Sequence, residues 1–480
     1  MYPDAEPGSP RRSPFNWAVR LLVVGLLILV GGYGAYIAIV LGPQLPSLSV
    51  QDFLRGYERI LQPADLRGPP LRTAQGGADR VYVLTTQSER IIPLRFGRVS
   101  SMTAHDFLHV DLWAFDPASG QPAWRRRLRT YEDRLPLTYE MLGADRTTLW
   151  LFVREPIAVS LRDGSELADG ARLEVVNPAM AGKRVDQDGY VAFGGQGLQL
   201  TLSDSTQWVV DGDTFVAQPR AVAPSAPGGI VMPAYDATST SQFQVRGLPL
   251  GNRWVGVLTD DEAAKLRADP VVPGAKPGEP PGVMADFLAR QHVPGDLTVY
   301  PVPYRLWSAK VAQVSNAPSG WPADFPDRWG TRDKFSDYQP LPDAPAFLQA
   351  GLLSGGRSTR AFFLLEPGSV LVLHHDKVGD SGRLRLARVT GPAGRLAWDA
   401  DLALAHLSAT MFGESTLAFV GTVPDAAYDP QSEVSRERHE LLIFVNAATG
   451  SAAHYDLTDE SVVDANAPDI VTSERADVER

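Results

Sequence analysis

Three turns constrain what this chain can fold into. Ser119-Gly120, Asp163-Gly164 and Asp204-Ser205 each divide two short apolar runs, and their second residues lie 44 and 41 positions apart. Trp124 and Trp208, each closing a similar turn-to-strand segment, are 84 positions apart, two periods of 42. A self-similar unit of roughly 40–50 residues is the mark of four-stranded blades set side by side. The intervening runs are rich in β-branched and aromatic residues, as in Val81-Tyr82-Val83-Leu84, Leu149 to Val153, Leu198 to Leu202, Ala361 to Leu365, Val370 to Leu373, Leu417 to Val420 and Leu441 to Val445. Such residues suit a pleated, half-buried surface. The pattern predicts a mainly β fold, a six- to eight-bladed β-propeller over residues 80–460. To leave no open edge, the early strand Val81–Leu84 is expected to pair with Leu441–Val445 and complete the last blade.

The turns carry a motif. One copy reads Ala114-Phe115-Asp116-Pro117-Ala118-Ser119-Gly120-Gln121-Pro122-Ala123-Trp124. A second runs from Val445 to His454, with Asn446 for the Asp and His454 for the Trp. Val389 to Trp398 is a looser copy that keeps Gly394 and Trp398 and has Thr390 in place of the Asp. Asp or Asn can accept backbone N–H bonds in such a hairpin, Gly supplies positive φ, and Trp packs between sheets. These runs resemble the repeat of PQQ-like β-propeller proteins, A-x-D-x-x-[TS]-G-x-x-x-W. The resemblance implies the scaffold and is silent on activity. Enzymes of that class add a calcium-binding acidic set and, among those oxidising alcohols, adjacent cysteines. This chain has no cysteine, and no such acidic set is recognisable. The resemblance therefore implies a non-catalytic member, with no cofactor and no catalytic, cofactor-binding or metal residues assigned.

Ahead of the β-rich part lies Leu21 to Leu41, 21 residues without a charged side chain. At about 1.5 Å per residue this run can cross a hydrocarbon core of ~30 Å. It ends in Ile39-Val40-Leu41-Gly42-Pro43, with no Ala-x-Ala cleavage site, and so reads as an uncleaved anchor. Arg11, Arg12 and Arg20 precede it, and the next basic residue is Arg55. The positive-inside rule then gives a cytoplasmic N-terminus over 1–16, a transmembrane helix over 17–42 and everything beyond outside. The expected placement is a bacterial-type inner membrane, single pass, with a periplasmic C-terminal domain.

Residues 43–79 read as a linker. Within it, Val50, Phe53, Leu54, Tyr57, Ile60 and Leu61 predict a short amphipathic helix over 49–61. Between 218 and 348 the rhythm fails in a Pro/Gly-rich irregular insertion, in which Thr259 and Glu262 form a capping box for a small helix. Residues 461–480 read as an acidic, disordered tail. From Asp456 onward eight acids face two arginines, in a chain of net charge −11. That acidity argues against nucleic acid as a ligand.

Few motifs carry chemistry. His374-His375-Asp376 is the densest donor cluster, but neighbouring strand residues point to opposite faces. His439-Glu440 begins a zincin motif and lacks its second His. Asp186-Gln187-Asp188-Gly189 and Asp211-Gly212-Asp213 look like calcium loops but read as hairpin turns beside strands. Strand alternation places Arg125, Arg127 and Arg129 on one face, and Trp124, Arg126 and Leu128 on the other. This is a solvated outer strand or an anion-binding stripe. The expectation is a membrane-anchored binding or scaffold module for another envelope protein. A PQQ- or sugar-active propeller enzyme with an unrecognised site stands as the alternative.

Overall fold

The computed structural model describes residues 57–62, 64–93, 104–132, 138–187, 189–223, 229–235, 240–245, 247–250, 253–268, 302–315, 331–353, 368–377, 382–423 and 440–457. The chain divides into two units. The smaller takes in residues 1–60 and 90–106. Its described part includes most of strand β1 (Tyr57–Leu61) and an exposed ion pair in which Arg90 Nε donates to Asp106 Oδ1 at 2.8 Å. β1 replaces the end of the helix expected over 49–61, because so short an apolar run does not separate the two periods. The rest of that run lies outside the described residues.

The larger unit is built from five antiparallel sheets. The first holds β2 (Asp65–Leu66), β3 (Leu71–Thr73), β4 (Arg80–Pro93), β5 (His105–Asp116) and β6 (Gln121–Glu132), with β2 and β3 on β4 and then β5 and β6 in order. The second is the meander β7 (Tyr139–Ala144), β8 (Thr148–Val153), β9 (Pro156–Ser160) and β10 (Glu166–Ala168). The third is β11 (Val191–Gly194), β12 (Gly197–Thr201), β13 (Gln207–Val210) and β14 (Ala217–Pro219).

The fourth sheet is compound. It contains β15 (Gln244–Val245), β16 (Gly247–Leu250), β17 (Arg253–Leu258), β18 (Pro303–Ser315), β19 (Thr331–Pro340), β20 (Phe347–Leu353), β21 (Ser369–His375), β22 (Leu384–Thr390) and β23 (Arg395–Asp401). Among the described residues its halves share strand pairing where Pro303 and Tyr304 of β18 meet Leu348 and Phe347 of β20, and they also pack through Val255, Val257 and Leu306 against Leu352, Val370 and Val372. The fifth is the meander β24 (His406–Phe412), β25 (Thr416–Thr422), β26 (Glu440–Asn446) and β27 (Ala452–Asp456). Among the described residues two short α-helices accompany them, α1 (Gly170–Val176) and α2 (Asp260–Ala268). The expected capping box holds α2. Thr259 N–H donates to Glu262 Oε2 at 2.9 Å, and Glu262 N–H donates to Thr259 Oγ1 at 3.2 Å.

Apolar burial joins the sheets in pairs. Leu84, Leu112 and Ala114 of the first pack with Met141, Leu149 and Leu151 of the second. The second packs on the third through Trp150, Phe152, Leu198 and Leu200. Val83, Trp113 and Phe115 meet Val420, Phe444 and Tyr455 of the fifth. The fifth meets the fourth through Phe419, Ile443, Leu386 and Trp398. The motif residues make these seams. A Cβ on Gly164 would fall 2.6 Å from the Trp124 ring, and one on Gly450 2.6 Å from Trp398. Both glycines also have positive φ, so the ring of one sheet rests on the bare turn of the next.

These seams do not close. Among the described residues no apolar cluster spans the third sheet and β16–β19. One face of that half instead packs under α2, where Ala263 joins Trp254, Leu258, Trp307 and Tyr338. The architecture is mainly β with several separate antiparallel sheets, and this corrects the expected closed propeller of six to eight blades. The expected closing strand is corrected too: the Val81–Leu84 run lies in β4 and pairs with β3, while β26 pairs with β25 and β27. The first and last sheets meet by packing instead of sharing a strand.

No helix among the described residues is long and apolar enough to cross a membrane. The single-pass anchor and the inner-membrane placement are corrected on that finding. The run 17–42 on which they rested lies outside the described residues, as do the acidic tail and the Pro/Gly-rich part of the insertion.

Candidate functional site

The first sheet departs from the others in length and in what it buries. β4, β5 and β6 run 14, 12 and 12 residues, whereas strands of the second and fifth sheets have 3–7. Val81, Val83, Trp113 and Phe115 are apolar and face the fifth sheet. Farther along the same alternation the buried residues are Thr85, Gln87, Glu89, His109, Asp111 and Arg125.

Trp113 marks the change. Its Nε1 donates to Thr85 Oγ1 at 2.9 Å, and the Arg125 guanidinium lies 4.5 Å from its ring centroid. Asp111, whose side chain is 1% exposed, accepts from Arg125 Nη2 at 2.5 Å and from Arg127 Nε at 3.0 Å. A buried carboxylate is tolerated when its lone pairs are filled in this way. Beyond it, His109 Nε2 lies 2.7 Å from Glu89 Oε2, and Nδ1 lies 3.0 Å from Thr130 Oγ1. Thr130 is exposed on β6, the last strand of the sheet. A hydrogen-bonded row thus leads from a surface hydroxyl through an imidazole to a buried carboxylate.

A β-bulge makes this row. Val110 is opposite Arg129, but Asp111 is opposite Arg127, so Leu128 is an extra residue on β6. The bulge reverses the alternation and puts Thr130 on the face of Arg125 and Arg127. Simple alternation places Arg129 there instead, which is why sequence reasoning missed Thr130.

The basic run is therefore neither a solvated strand nor an open anion stripe. Arg125 and Arg127 hold Asp111, Arg126 Nε donates to Asp163 O at 3.0 Å, and Arg129 bonds Glu166 at 2.5 Å and lies 3.6 Å from Glu155. His374 and His375 end β21. His374 Nε2 sits 3.2 Å from Asp399 Oδ1, and Arg385 Nε bonds the same carboxylate. Burial pushes Asp399 up, but His374 and Arg385 outweigh it and hold the carboxyl below its ordinary range. Burial, chiefly, lowers the His375 imidazole. Asp211 caps its own turn, accepting from the N–H groups of Asp213 and Thr214. Asp186 accepts from Arg184; Asp188 and His439 lie outside the described residues. Glu440 Oε2 accepts the Leu66 N–H at 3.0 Å. Among the described residues no group of three or more His, Asp or Glu side chains is placed to hold a metal ion.

A second feature lies where sheet edges meet. The strands β11, β7, β3 and β24 run side by side. The described residues 229–235 and 240–245 together form a strap at several of these edges. Ala144 and Val231 exchange both backbone bonds at 2.8 Å. Ala234 N–H donates to Pro70 O at 2.6 Å, ahead of β3, and Leu407 N–H of β24 donates to Thr240 Oγ1 at 3.0 Å. Gln244 and Val245 then pair with Leu353 and Leu352 of the fourth sheet. One segment thus satisfies edge groups of four sheets.

No protein-family model matches this chain, and no curated protein matches it. Among solved structures, a candidate 6-phosphogluconolactonase from Bacteroides fragilis is similar to it over 82% of this chain and 93% of that one, at 9% identity and a TM-score of 0.16. A likeness of that degree carries no argument about activity.

Proposed function

We propose that this chain is a binding or scaffold module for another protein, akin to the PQQ-like repeat proteins that its turn motifs resemble. The observation that supports this is the strap. It satisfies backbone groups at the edges of four sheets, a structural use of this segment and not a catalytic one. Met232 of the strap is 51% exposed, and Val222, ahead of it in the chain, is 69% exposed. The partner meets residues 218–348 through these side chains.

The test is photo-cross-linking in the native cell, with a reactive amino acid at Val222 or Met232 of the full chain. One discrete protein adduct is expected from both positions, and none from a control at Glu174. No adduct from either position, together with PQQ-dependent oxidation of a sugar or alcohol by the purified chain, overturns the reading in favour of an enzyme.

A further inference from the structure

The Thr130–His109–Glu89 row has a chemical consequence separate from partner binding. With Glu89 ionised, its carboxylate can only accept, so His109 Nε2 carries the hydrogen across the 2.7 Å contact. Nδ1 is then left as an acceptor, 3.0 Å from the Thr130 hydroxyl. This is the order of a nucleophile, its general base and the group that orients the base. His109 and Glu89 are both buried, so the base is held in one orientation. The nucleophile is the exposed member, and the bulge at Leu128 is what aims it there. Arg127 lies on the same face and is engaged with Asp111, its side chain 27% exposed.

We infer that Thr130, His109 and Glu89 form an acyl-transfer relay that accepts the acyl group of a small activated carboxylic ester and passes it to water. In the first half, the Thr130 Oγ1–acyl bond forms and the bond to the leaving alkoxide breaks. The hydroxyl proton passes to His109 Nδ1 and from there to the leaving oxygen. In the second half, water gives a proton to His109 and attacks the acyl-threonine. The carboxylic acid departs and Thr130 regains its hydrogen. Thr130 and His109 are the catalytic residues; Glu89 is a positioning residue.

The experiment uses the full chain, with p-nitrophenyl acetate as substrate and a fluorophosphonate as covalent probe. Peptide mass spectrometry is expected to place the probe on Thr130. Ester turnover should fall to background in Thr130→Ala and persist in Thr130→Ser. His109→Gln should lower turnover by at least about 100-fold, the usual range for loss of a general base. Glu89→Gln should lower kcat about tenfold per probe-titrated Thr130 site with KM unchanged, a normalisation that removes any loss of folded protein from the rate. If His109→Gln loses its β circular dichroism, the Thr130 pair decides alone, because that side chain is exposed. Folded wild type that takes no probe at Thr130, or Thr130→Ala that keeps the wild-type rate, overturns the inference.

Discussion

The two halves of the first sheet share strands, face and alternation, yet one is filled with hydrocarbon and the other with charge. In the lower half Phe115 lies 4.8 Å from the Tyr455 ring and packs beside Phe444. In the upper half Asp111 lies at equal depth and is held by two guanidiniums. Apolar contact is non-directional and tolerates small shifts of register. The ionic half is satisfied in one register only, the one that Leu128 creates. The lower half thus supplies stability, and the upper half supplies a unique geometry.

The largest effects should come from cutting either half at its centre. Phe115→Ala is expected to lower unfolding free energy by about 3–5 kcal/mol in a urea titration. Asp111→Ala should cost a similar ~3–5 kcal/mol, because it leaves Arg125 buried without its partner. Replacing both together, Asp111→Leu with Arg125→Met, should recover most of that loss. A single-variant cost below about 1 kcal/mol would mean that the pair is worth no more than a surface ion pair, and the contrast between the halves would break.

A smaller effect tests the seams. Gly164→Ala puts a side chain against Trp124 at positive φ, and a loss of about 1–3 kcal/mol is expected. No loss would show that the second sheet can shift away from the ring.

The smallest effect sharpens the contrast, since it concerns a buried carboxylate that is poorly paired. Asp145 accepts from Trp150 Nε1 at 3.0 Å, while its Oδ1 is buried with no hydrogen-bond partner. Burial, with Asp211 and Asp213 acting in the same direction, pushes its carboxyl above the ordinary range. A raised carboxyl disfavours the folded state once it ionises, so its penalty is full above the folded value and absent below the unfolded value of about 3.9. Asp145→Asn should therefore raise the melting temperature at neutral pH, by up to about 1 kcal/mol of stability, and the gain should vanish below about pH 4. A loss at neutral pH would show that the ionised carboxylate is satisfied after all.

Much of the local structure was legible from residues alone. The runs at Leu149–Val153, Val370–Leu373, Leu417–Val420 and Leu441–Val445 fall within β8, β21, β25 and β26. Asp116 and Asn446 accept the turn N–H groups their motif calls for, Ala118 in one case and Ala448 and Thr449 in the other. Arrangement was less legible. A period of about 42 predicts similar sheets but not how they join, and the capping box of α2 is local and says nothing of where the helix docks. The candidate site was hidden for a related reason. Its members come from three strands, and the single extra residue at Leu128 that brings Thr130 to His109 leaves no mark on the hydrophobic pattern. The arginine run looked like surface because Asp111, 14 residues from Arg125, is joined to it only through the strand pairing.

The strap has a bearing on the order of folding. Its seats at Pro70 and Ala144 precede it in the chain, while those at Leu352, Leu353 and Leu407 follow it by more than 100 residues. As the chain is synthesised from its N-terminus, the first two sheets can be complete while half the strap still has nothing to bind. Contacts of such separation form late, because the loops between them must close first. Docking of the strap therefore reports that early and late sheets are both in place, and the edges it covers stay open to other chains until then.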